Sequence, residues 1–385
     1  MNLQTVHRKL TSIFAALLVF FAALNVYGQD LPDRIRAVDY PFARNRAIGG
    51  GHTALDGDFS SIFTNPAAMV GVMPQKSIAK LSVDVNYIDL VFRILQTTEP
   101  MPEIDNIFVK HFDAGVDVGG PIALGMTGKN FGLGLFNVTR LGMLWNRNEI
   151  YKLSPTLTEE IALAGAFGLR LYNGSRAKFD IGLTGKMFVR AGYRDTPLYL
   201  HEIRYILQDL FERTFETQIG GGVDIGLRWT LYDSLSFAAV FYDPYSPAWV
   251  VQYSKMDKVA DREMTGSTMA LVAPRATAGV SWKINSRFLS RFFSRITLSC
   301  DYTGLLDNPF NPSRDPLLNI GAGLEICMHE VFFIRAGLRD MMPSAGIGLD
   351  FTFMSIDVSA YGSELGTSPG QLPVWAGAID ISFKK

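Results

Sequence analysis

The chain has 385 residues, of which 48% are hydrophobic and only 19% charged, below the ~25% charged residues of ordinary soluble domains. Its 36 basic and 37 acidic residues leave a net charge of −1, so a clustered basic excess is missing and no nucleic-acid partner is expected. Beyond the first 28 residues, no apolar run is long enough for a transmembrane helix. This excludes a polytopic helical membrane protein.

The amino terminus has the pattern of an export signal. His7, Arg8 and Lys9 form a basic region, and the apolar run from Leu10 to Leu24 follows it. Small residues then precede a predicted cleavage point near Gly28. The alternative, a single anchor helix, needs ~20 apolar residues, more than this run supplies. Residues 1–28 are therefore predicted to be a signal peptide.

Residues 29–78 do not alternate between apolar and polar side chains. They hold a glycine triplet, Gly49 to Gly51, and the run Asn65-Pro66-Ala67. The triplet lacks the Lys-Ser/Thr that follows a phosphate-binding loop, so no nucleotide is expected there. A segment this short cannot bury an independent core. We expect it to pack inside the next domain as an N-terminal plug, or hatch.

Residues 79–385 repeat an alternation of period two, which places apolar and polar side chains on opposite faces of a strand. In one example, Phe179, Ile181 and Leu183 alternate with Asp180, Gly182 and Thr184. The pattern predicts an all-β fold, a transmembrane antiparallel β-barrel of about 14 strands. The predicted strands begin near Lys80, Ala114, Phe131, Ile161, Phe179, Thr217, Leu235, Arg275, Arg295, Asn319, Val331, Ser344, Met354 and Val374.

The predicted connections alternate in length, as in outer-membrane barrels with short periplasmic turns and longer outer loops. Short connections are expected at 127–130, 172–178 and 232–234, and long loops at 145–160, 193–216 and 243–274. The connections at 284–294 and 340–343 depart from this rule. The pattern predicts location in the outer membrane of a diderm bacterium, with outer-membrane lipid and the barrel-assembly machinery as partners. The oligomeric state stays open.

Aromatic and charged residues add to this interpretation. Aromatic side chains at predicted strand ends suit the interfacial girdles of a membrane barrel, although ordinary core positions are the alternative. They are Trp145, Tyr193, Trp229, Tyr232, Tyr242, Trp282, Tyr302, Tyr361 and Trp375. Charges of both signs fall on the inward parity, among them Asp180, Lys186, Arg190, Asp224 and Arg228. They indicate either ion pairs and plug contacts or a wide water-filled lumen.

Signals for chemistry are missing from the sequence. The mature histidines have no metal-ligand spacing, and no Gly-x-Ser-x-Gly run is present. No catalytic residue, cofactor or metal is expected, and the protein is not expected to be an enzyme. Strand parity places Cys300 and Cys327 on opposite faces of the predicted barrel, although a disulfide between them is left open.

One outer loop contains a predicted amphipathic helix between His201 and Phe215. Its apolar residues recur at helical spacing. They are Ile203, Ile206, Leu207, Leu210 and Phe211. The next outer loop carries Trp249. Together these residues are candidates for capturing an apolar ligand; the alternative is a helix that only caps the barrel.

Two stretches of the chain resemble one known family. The run from Arg46 through Gly49 and Gly50 to Asn65, Pro66 and Ala67 resembles the hatch of FadL-type long-chain fatty-acid transporters, and most of all that of their spirochaete relatives. The stretch 336–371 also resembles those relatives. Between the two, the likeness is architectural.

The resemblance implies a fourteen-stranded barrel, ligand capture by the two outer loops, and lateral release through a kinked third strand. Asn137 and Thr139 break the apolar parity of the third predicted strand here, which indicates a bulge or an imperfect pattern. The implied function is passive uptake of long-chain fatty acids or similar hydrophobic molecules. The alternatives are an interaction or secretion platform and a general porin.

Overall fold

The structure is a computed structural model that describes most of the chain after residue 33. The described residues are 34–86, 112–120, 123–146, 152–193, 198–199, 212–284, 293–307 and 314–385. The expected signal peptide at 1–28 lies outside them, as do the helix residues Ile203, Ile206, Leu207, Leu210 and Phe211.

The chain forms a closed antiparallel β-barrel of 14 strands, which confirms the predicted fold class. Three of the strands consist of two segments each. The strands are β1 (Gln75–Asn86), β2 (Phe112–Gly119 and Leu124–Gly128), β3 (Phe131–Asn146), β4 (Lys152–Asn173), β5 (Ala177–Tyr193), β6 (Phe215–Leu231), β7 (Leu235–Tyr242 and Pro247–Tyr253), β8 (Met264–Val272 and Arg275–Lys283), β9 (Arg295–Tyr302), β10 (Ile320–Met328), β11 (Phe332–Arg339), β12 (Met342–Asp350), β13 (Met354–Glu364) and β14 (Pro373–Lys384).

The barrel closes where β14 pairs with β1. The pairing runs from Ala376 opposite Asn86 to Lys384 opposite Ser77. Closure satisfies the strand edges that an open sheet would leave unpaired, which is a requirement for β-structure in a lipid bilayer. We call the end with the short turns and the residues Gln75 and Lys385 the lower end, and the opposite end the upper end.

Alternation along the strands separates an apolar outer face from a polar lumen. On β4, Ile161 and Leu163 point outward and are each 45% exposed, whereas Ala162 and Ala164 between them point inward and are buried. The outer face carries many more exposed apolar side chains, and that surface suits contact with lipid. No helix among the described residues has the length and apolar character needed to cross a membrane.

The wall of the barrel is uneven in height. Strands β3 to β6 are 16 to 22 residues long, whereas β9 to β12 have 8 or 9 residues each. The prediction of long outer loops at 145–160 and 243–274 is therefore wrong. Strands β3 and β4 occupy most of 145–160, and the upper segments of β7 and β8 occupy half of 243–274. Pro155 and the polar residues around it hide the upper part of β4, because proline argues against a strand in a sequence pattern.

The tall strands β7 and β8 meet at the upper end through a short helix, α3 (Lys258–Asp261). A 3₁₀ helix (Pro316–Asn319) precedes β10, and the short strand Leu198–Tyr199 pairs with the first residues of β4.

The expected aromatic girdle is only partly correct. Trp229, Tyr232, Trp282 and Trp375 point outward and are exposed, as a girdle requires. Tyr242 and Tyr361 are buried and point into the lumen, where their hydroxyl groups donate to the Thr64 carbonyl and the Asp84 carboxylate. A buried tyrosine needs such a partner. Tyr193 has the outward parity of β5 but is also buried, at the upper end of the strand, and its hydroxyl donates to the Met256 sulfur.

The two cysteines remain free thiols. Cys300 is exposed and Cys327 is buried, and each pairs across the β9–β10 ladder with a different residue.

Candidate functional site

The N-terminal segment lies inside the barrel. Residues 34–74, here called the plug, begin with a two-residue strand (Arg34–Ile35) parallel to β8 and continue through α1 (Ala43–Ala47), α2 (Ser61–Thr64) and a 3₁₀ helix (Pro66–Met69). Helix α1 packs on β12 to β14, and the 3₁₀ helix packs on β4 to β6. The plug therefore contacts opposite sides of the wall.

A row of three glycines in the wall receives the Asn65-Pro66-Ala67 run. Gly168, Gly182 and Gly226 lie opposite one another on β4, β5 and β6. A Cβ atom at Gly182 would lie 2.2 Å from the Pro66 carbonyl carbon, and one at Gly226 would lie 2.2 Å from the Asn65 side-chain oxygen. Any larger residue at these positions would displace the plug backbone.

Asn65 organises its own segment while it contacts this row. Its side-chain Nδ2 donates to the Thr53 carbonyl at 2.8 Å, and its Oδ1 accepts from the Ala67 amide at 3.0 Å. Pro66 opens the 3₁₀ helix, a position where a missing N–H costs nothing. The three residues singled out from the sequence thus form one buried docking element.

The Asn65→Asp variant is expected to loosen this element. A carboxylate oxygen would replace the Nδ2 donor and face the Thr53 carbonyl, so a buried acceptor loses its partner at a cost of about 1–3 kcal/mol. Hydrogen exchange of the amides in residues 53–70 should accelerate ten-fold or more. Asn173→Asp, at an exposed position on the lower rim, is the matched control. Equal exchange in both variants would refute the docking role.

Gly49 and Gly50 lie against a second set of wall glycines. Both adopt left-handed backbone conformations, with φ of 62° and 77°, and they end α1. A Cβ atom at Gly323 would lie 2.4 Å from the Ile48 carbonyl oxygen, and one at Gly337 would lie 2.4 Å from the Gly49 amide nitrogen. Backbone therefore packs directly on backbone here, which only glycine allows.

Buried ion pairs hold the plug as well. Arg44 on α1 forms two hydrogen bonds with Glu325 of β10, at 2.9 and 3.0 Å, and also pairs with Asp58 of the plug. Glu325 also accepts from Arg335 of β11 at 2.8 Å. The lumen charges of both signs thus form ion pairs and plug contacts, as one of the two sequence interpretations expected.

A second polar contact holds the turn after Gly50. The Asp301 carboxylate on β9 accepts from the His52 amide at 3.0 Å, the Thr53 amide at 2.8 Å and the Thr53 hydroxyl at 2.5 Å. Burial lowers the pKa of His52 despite the opposing effect of Asp301, so its imidazole is neutral at pH 7.

Five aromatic rings pack between the plug and the wall near β2. They are Tyr40, Phe42, Phe59 and Phe63 of the plug and Phe136 of β3. Ring centroids lie 4.8 Å apart for Phe63 and Phe136 and 5.0 Å apart for Tyr40 and Phe42, within the range of favourable aromatic contacts. We call these rings the aromatic cluster; it is the main apolar region in the described part of the lumen.

The wall beside the aromatic cluster is interrupted in β2. The described pairing with β3 ends at Gly119 opposite Val138 and resumes at Leu124 opposite Leu135, so the register of β2 against β3 changes by two residues between these points. Gly120 has φ of 94°, and a Cβ atom there would lie 2.1 Å from the Lys80 carbonyl oxygen. The bulge that the sequence predicted in the third strand therefore lies in the second.

Strand β3 itself pairs with β4 without a register shift along its whole length. Asn137 and Thr139 lie on its outer face, and both donate to the Glu159 carboxylate of β4, Asn137 at 3.0 Å. They break the apolar parity because of this polar contact, not because the strand bends. They do lie beside the interruption of β2.

Two cavities flank the plug. The upper cavity has a volume of about 190 Å³ and reaches the aromatic cluster at Tyr40, Phe42 and Phe63. Two arginines of the wall also line it: Arg275, which stacks over the Tyr242 ring at 5.2 Å, and Arg339, whose nearest carboxylate is that of Asp340 at 3.8 Å.

Asp39 of the plug lines the same cavity, and its pKa indicates that the electrostatic potential there is positive. Burial would raise the pKa of Asp39, but Arg46, Arg275 and other arginines outweigh it and hold the pKa below its usual value. The upper cavity therefore combines aromatic rings with guanidinium groups that favour an anion.

The lower cavity has a volume of about 250 Å³ and a lining of charged and aromatic residues. It is bordered by Arg44, Asp58, Arg295, Arg335 and Asp357, together with the rings of Phe42, Phe59 and Phe333. A third cavity of about 490 Å³ lies at the upper mouth, where threonine and glutamine side chains of the tall strands line it.

Trp249 does not lie in a loop. It belongs to the upper segment of β7, pairs across the sheet with Ile219 and Met269, and points outward with 54% of its surface exposed. The loop assignment from the sequence is therefore corrected, since Trp249 lies among other outward-facing apolar side chains. The helix residues grouped with it, 203–211, lie outside the described part of the chain.

Sequence reasoning missed the Gly168–Gly182–Gly226 row and Arg275. The glycines carried a usable signal, since all three fall on the inward parity of predicted strands. Arg339 also falls on the inward parity and was expected to face the lumen, but the sequence could not place it beside Arg275, because the two line one cavity only when the barrel closes around the plug.

No family model and no curated protein matches the sequence. Several solved structures have a similar fold. One is the CymD monoaromatic hydrocarbon channel, at 12% identity and a TM-score of 0.48, with 89% of this chain and 96% of that chain covered. Another is the Ralstonia pickettii toluene transporter TbuX, at 10% identity and a TM-score of 0.47, with 89% and 97% covered.

A third is a Pseudomonas aeruginosa FadL homologue, at 13% identity and a TM-score of 0.43, with 90% of this chain and 97% of that chain covered. A FadL homologue is thus among the solved structures that this chain resembles. At this level of identity the likeness extends to the fold alone.

Proposed function

We propose that this protein mediates passive uptake of hydrophobic molecules with an acidic head group, such as long-chain fatty acids. The observation that carries the proposal is the upper cavity, where aromatic rings adjoin Arg275 and Arg339. Guanidinium groups bind carboxylates by charge-assisted hydrogen bonds, and apolar walls gain ~0.8 kcal/mol for each ligand methylene they bury. One cavity thus offers a site for each end of such a ligand.

The aromatic cluster offers this ligand a route onward. It borders the upper cavity on one side and the interruption of β2 on the other, where Phe59 lies against Gly125 and Tyr40 lies against Gly119. A hydrophobic molecule that displaces these rings would reach the wall where the described pairing of β2 with β3 changes register. Lateral release would then occur at β2, beside Asn137 and Thr139.

The proposed setting is the outer membrane. An apolar outer face and a closed barrel support it, and the signal peptide predicted from the sequence agrees with it. We propose a division of the chain into a signal at 1–28, a plug domain at 29–78 and a barrel at 79–385, although the first barrel strand, β1, already begins at Gln75 and the plug as described above is residues 34–74. Outer-membrane lipid and the barrel-assembly machinery are the expected partners in this setting.

Ligand binding tests the proposal directly. In the Arg275→Gln/Arg339→Gln variant, we expect the Kd for dodecanoate to rise about ten-fold or more in lipid nanodiscs, because charge-assisted hydrogen bonds contribute ~1.5–3 kcal/mol. The Kd for dodecanol, which has the same chain and no charge, should change less than about two-fold by the same reasoning.

The matched control is Arg295→Gln, which removes an arginine from the lower cavity only. Equal weakening of the acid and the alcohol would show that the two arginines do not bind the head group. A wild-type protein that binds toluene but neither dodecyl probe would move the substrate class to neutral aromatic compounds. A wild-type protein that binds none of dodecanoate, dodecanol and toluene would overturn the transport proposal.

A further inference from the structure

Two residues of the plug border both the upper and the lower cavity. They are Phe42, which immediately precedes α1, and Asn45, which lies within it. The two cavities together extend from the upper strand ends at Arg339 and Thr303 to the lower strand ends at Leu349 and Lys384. Phe42 and Asn45 therefore lie between two cavities that follow one another along the described lumen, and we call this point the constriction.

The path through the two cavities is polar on both sides of the constriction. Charged groups of both signs line the lower cavity, and polar side chains such as Thr303 and Asn319 join the arginines of the upper one. Water solvates such groups, whereas a hydrocarbon would have to desolvate them at a cost. The path therefore suits ions and small polar solutes better than the ligand of the proposed uptake.

Side-chain contacts hold the constriction closed. The Lys80 ammonium of β1 lies 4.3 Å from the centre of the Phe42 ring, a favourable cation–π distance. Lys80 also pairs with Asp380 of β14 at 2.9 Å, and Asp380 accepts from the Ala43 amide at the start of α1 at 3.0 Å. Lys80 and Asp380 of the wall thus hold both the Phe42 ring and the start of α1.

We propose that this barrel has a second, axial pathway for ions and small polar solutes, closed by Phe42 and Asn45. Displacing the Phe42 ring joins the two cavities, and the solute crosses along the axis of the barrel without passing the interruption of β2. The pathway shares the upper cavity and Phe42 with the proposed hydrophobic route, but it does not require lateral release through the wall.

Single-channel recording in planar bilayers in potassium chloride tests the proposal. Phe42→Ala is expected to raise the open-channel conductance at least five-fold over wild type. Phe59→Ala is the matched control, since it removes another ring of the aromatic cluster that borders only the lower cavity. The added substitution Asn45→Trp in the Phe42→Ala background should refill the constriction and return the conductance to within two-fold of wild type.

Asn45→Ala provides a second opening variant outside the aromatic cluster, in case Phe42→Ala does not insert. It should also raise the conductance, by two-fold or more. Wild-type conductance in both opening variants would overturn the proposal. Equal increases in Phe42→Ala and Phe59→Ala, or no reversal by Asn45→Trp, would also overturn it, since these results mean that the whole plug has loosened.

Discussion

The Gly182→Val variant is expected to insert as a closed barrel whose plug no longer docks. Its Cβ would lie 2.2 Å from the Pro66 carbonyl carbon, and its methyl groups would extend further into the plug backbone. Overpacking of a core side chain typically costs about 1–3 kcal/mol, and here the obstacle is backbone, which cannot rotate away. We expect plug docking to lose at least that much, so that the plug is released on the order of 100-fold more often.

Limited proteolysis measures this release. Cleavage within residues 34–74 should accelerate while the barrel band keeps the heat-dependent mobility of a folded barrel. Gly185→Val is the control, because it lies three residues along the same strand, and a Cβ there meets nothing within 4 Å. Equal cleavage of both variants would mean that the glycine row is not what receives the plug.

The Glu325→Ala variant is expected to show the largest loss of stability among single changes in the lumen. Glu325 is buried and bonded to both Arg44 and Arg335. Without it, Arg44 keeps Asp58 and Arg335 keeps Asp357, but the cluster has lost one of the carboxylates that neutralise its two buried guanidinium groups. Breaking a buried pair in this way costs about 3–5 kcal/mol. The free energy of unfolding in urea, measured in lipid vesicles, should fall by that amount.

Two further variants define the cause of this loss. Asp350→Ala removes the partner of Lys384 at the lower rim, where the carboxylate is 44% exposed, and should cost less than about 1 kcal/mol. Glu325→Leu/Arg335→Met removes one buried carboxylate and one buried guanidinium group together, so the charge of the cluster stays balanced; Arg44 keeps Asp58, and Asp357, which loses Arg335, is 21% exposed. This double variant should recover most of the lost stability; a double variant as unstable as Glu325→Ala would attribute the loss to packing instead.

The period of two was enough to predict most of the barrel. Strands such as β5 and β14 alternate without interruption, so each inward residue follows an outward one and the fold class follows from the pattern. The pattern failed where a strand leaves the membrane-facing region. Pro155 pairs with Met143 inside β4, and Trp249 lies in the upper part of β7, where neither flanking sequence alternates cleanly.

The interruption of β2 shows a different limit of prediction from a sequence pattern. Asn137 and Thr139 looked like a bulge because polar residues replace apolar ones on the outer face, but they satisfy Glu159 on a regular strand. The break lies opposite, after Gly119. A one-strand pattern cannot assign a register shift to one partner or the other, because the shift is a property of the pair.

The candidate site was the part of the structure that was hardest to predict from the sequence. The Asn65-Pro66-Ala67 run could be singled out by resemblance, although its contact with Gly182 and Gly226 depends on the three-dimensional arrangement of two distant strands. Arg275 and Arg339 belong to strands that are not neighbours in the sheet. Only the closed barrel brings them to one cavity.

The contacts of Asp380 have a consequence for the order of folding. This carboxylate, on the last strand, bonds the Ala43 amide 337 residues earlier in the chain and Lys80 of the first strand 300 residues earlier. Contacts this distant in sequence form late, because the entropy of closing so long a loop opposes them. The strand that completes the barrel also makes the last attachment of the plug. The plug, which is synthesised before the barrel strands, is therefore among the last segments to become fixed. It must already lie within the curve of the sheet when β14 pairs with β1.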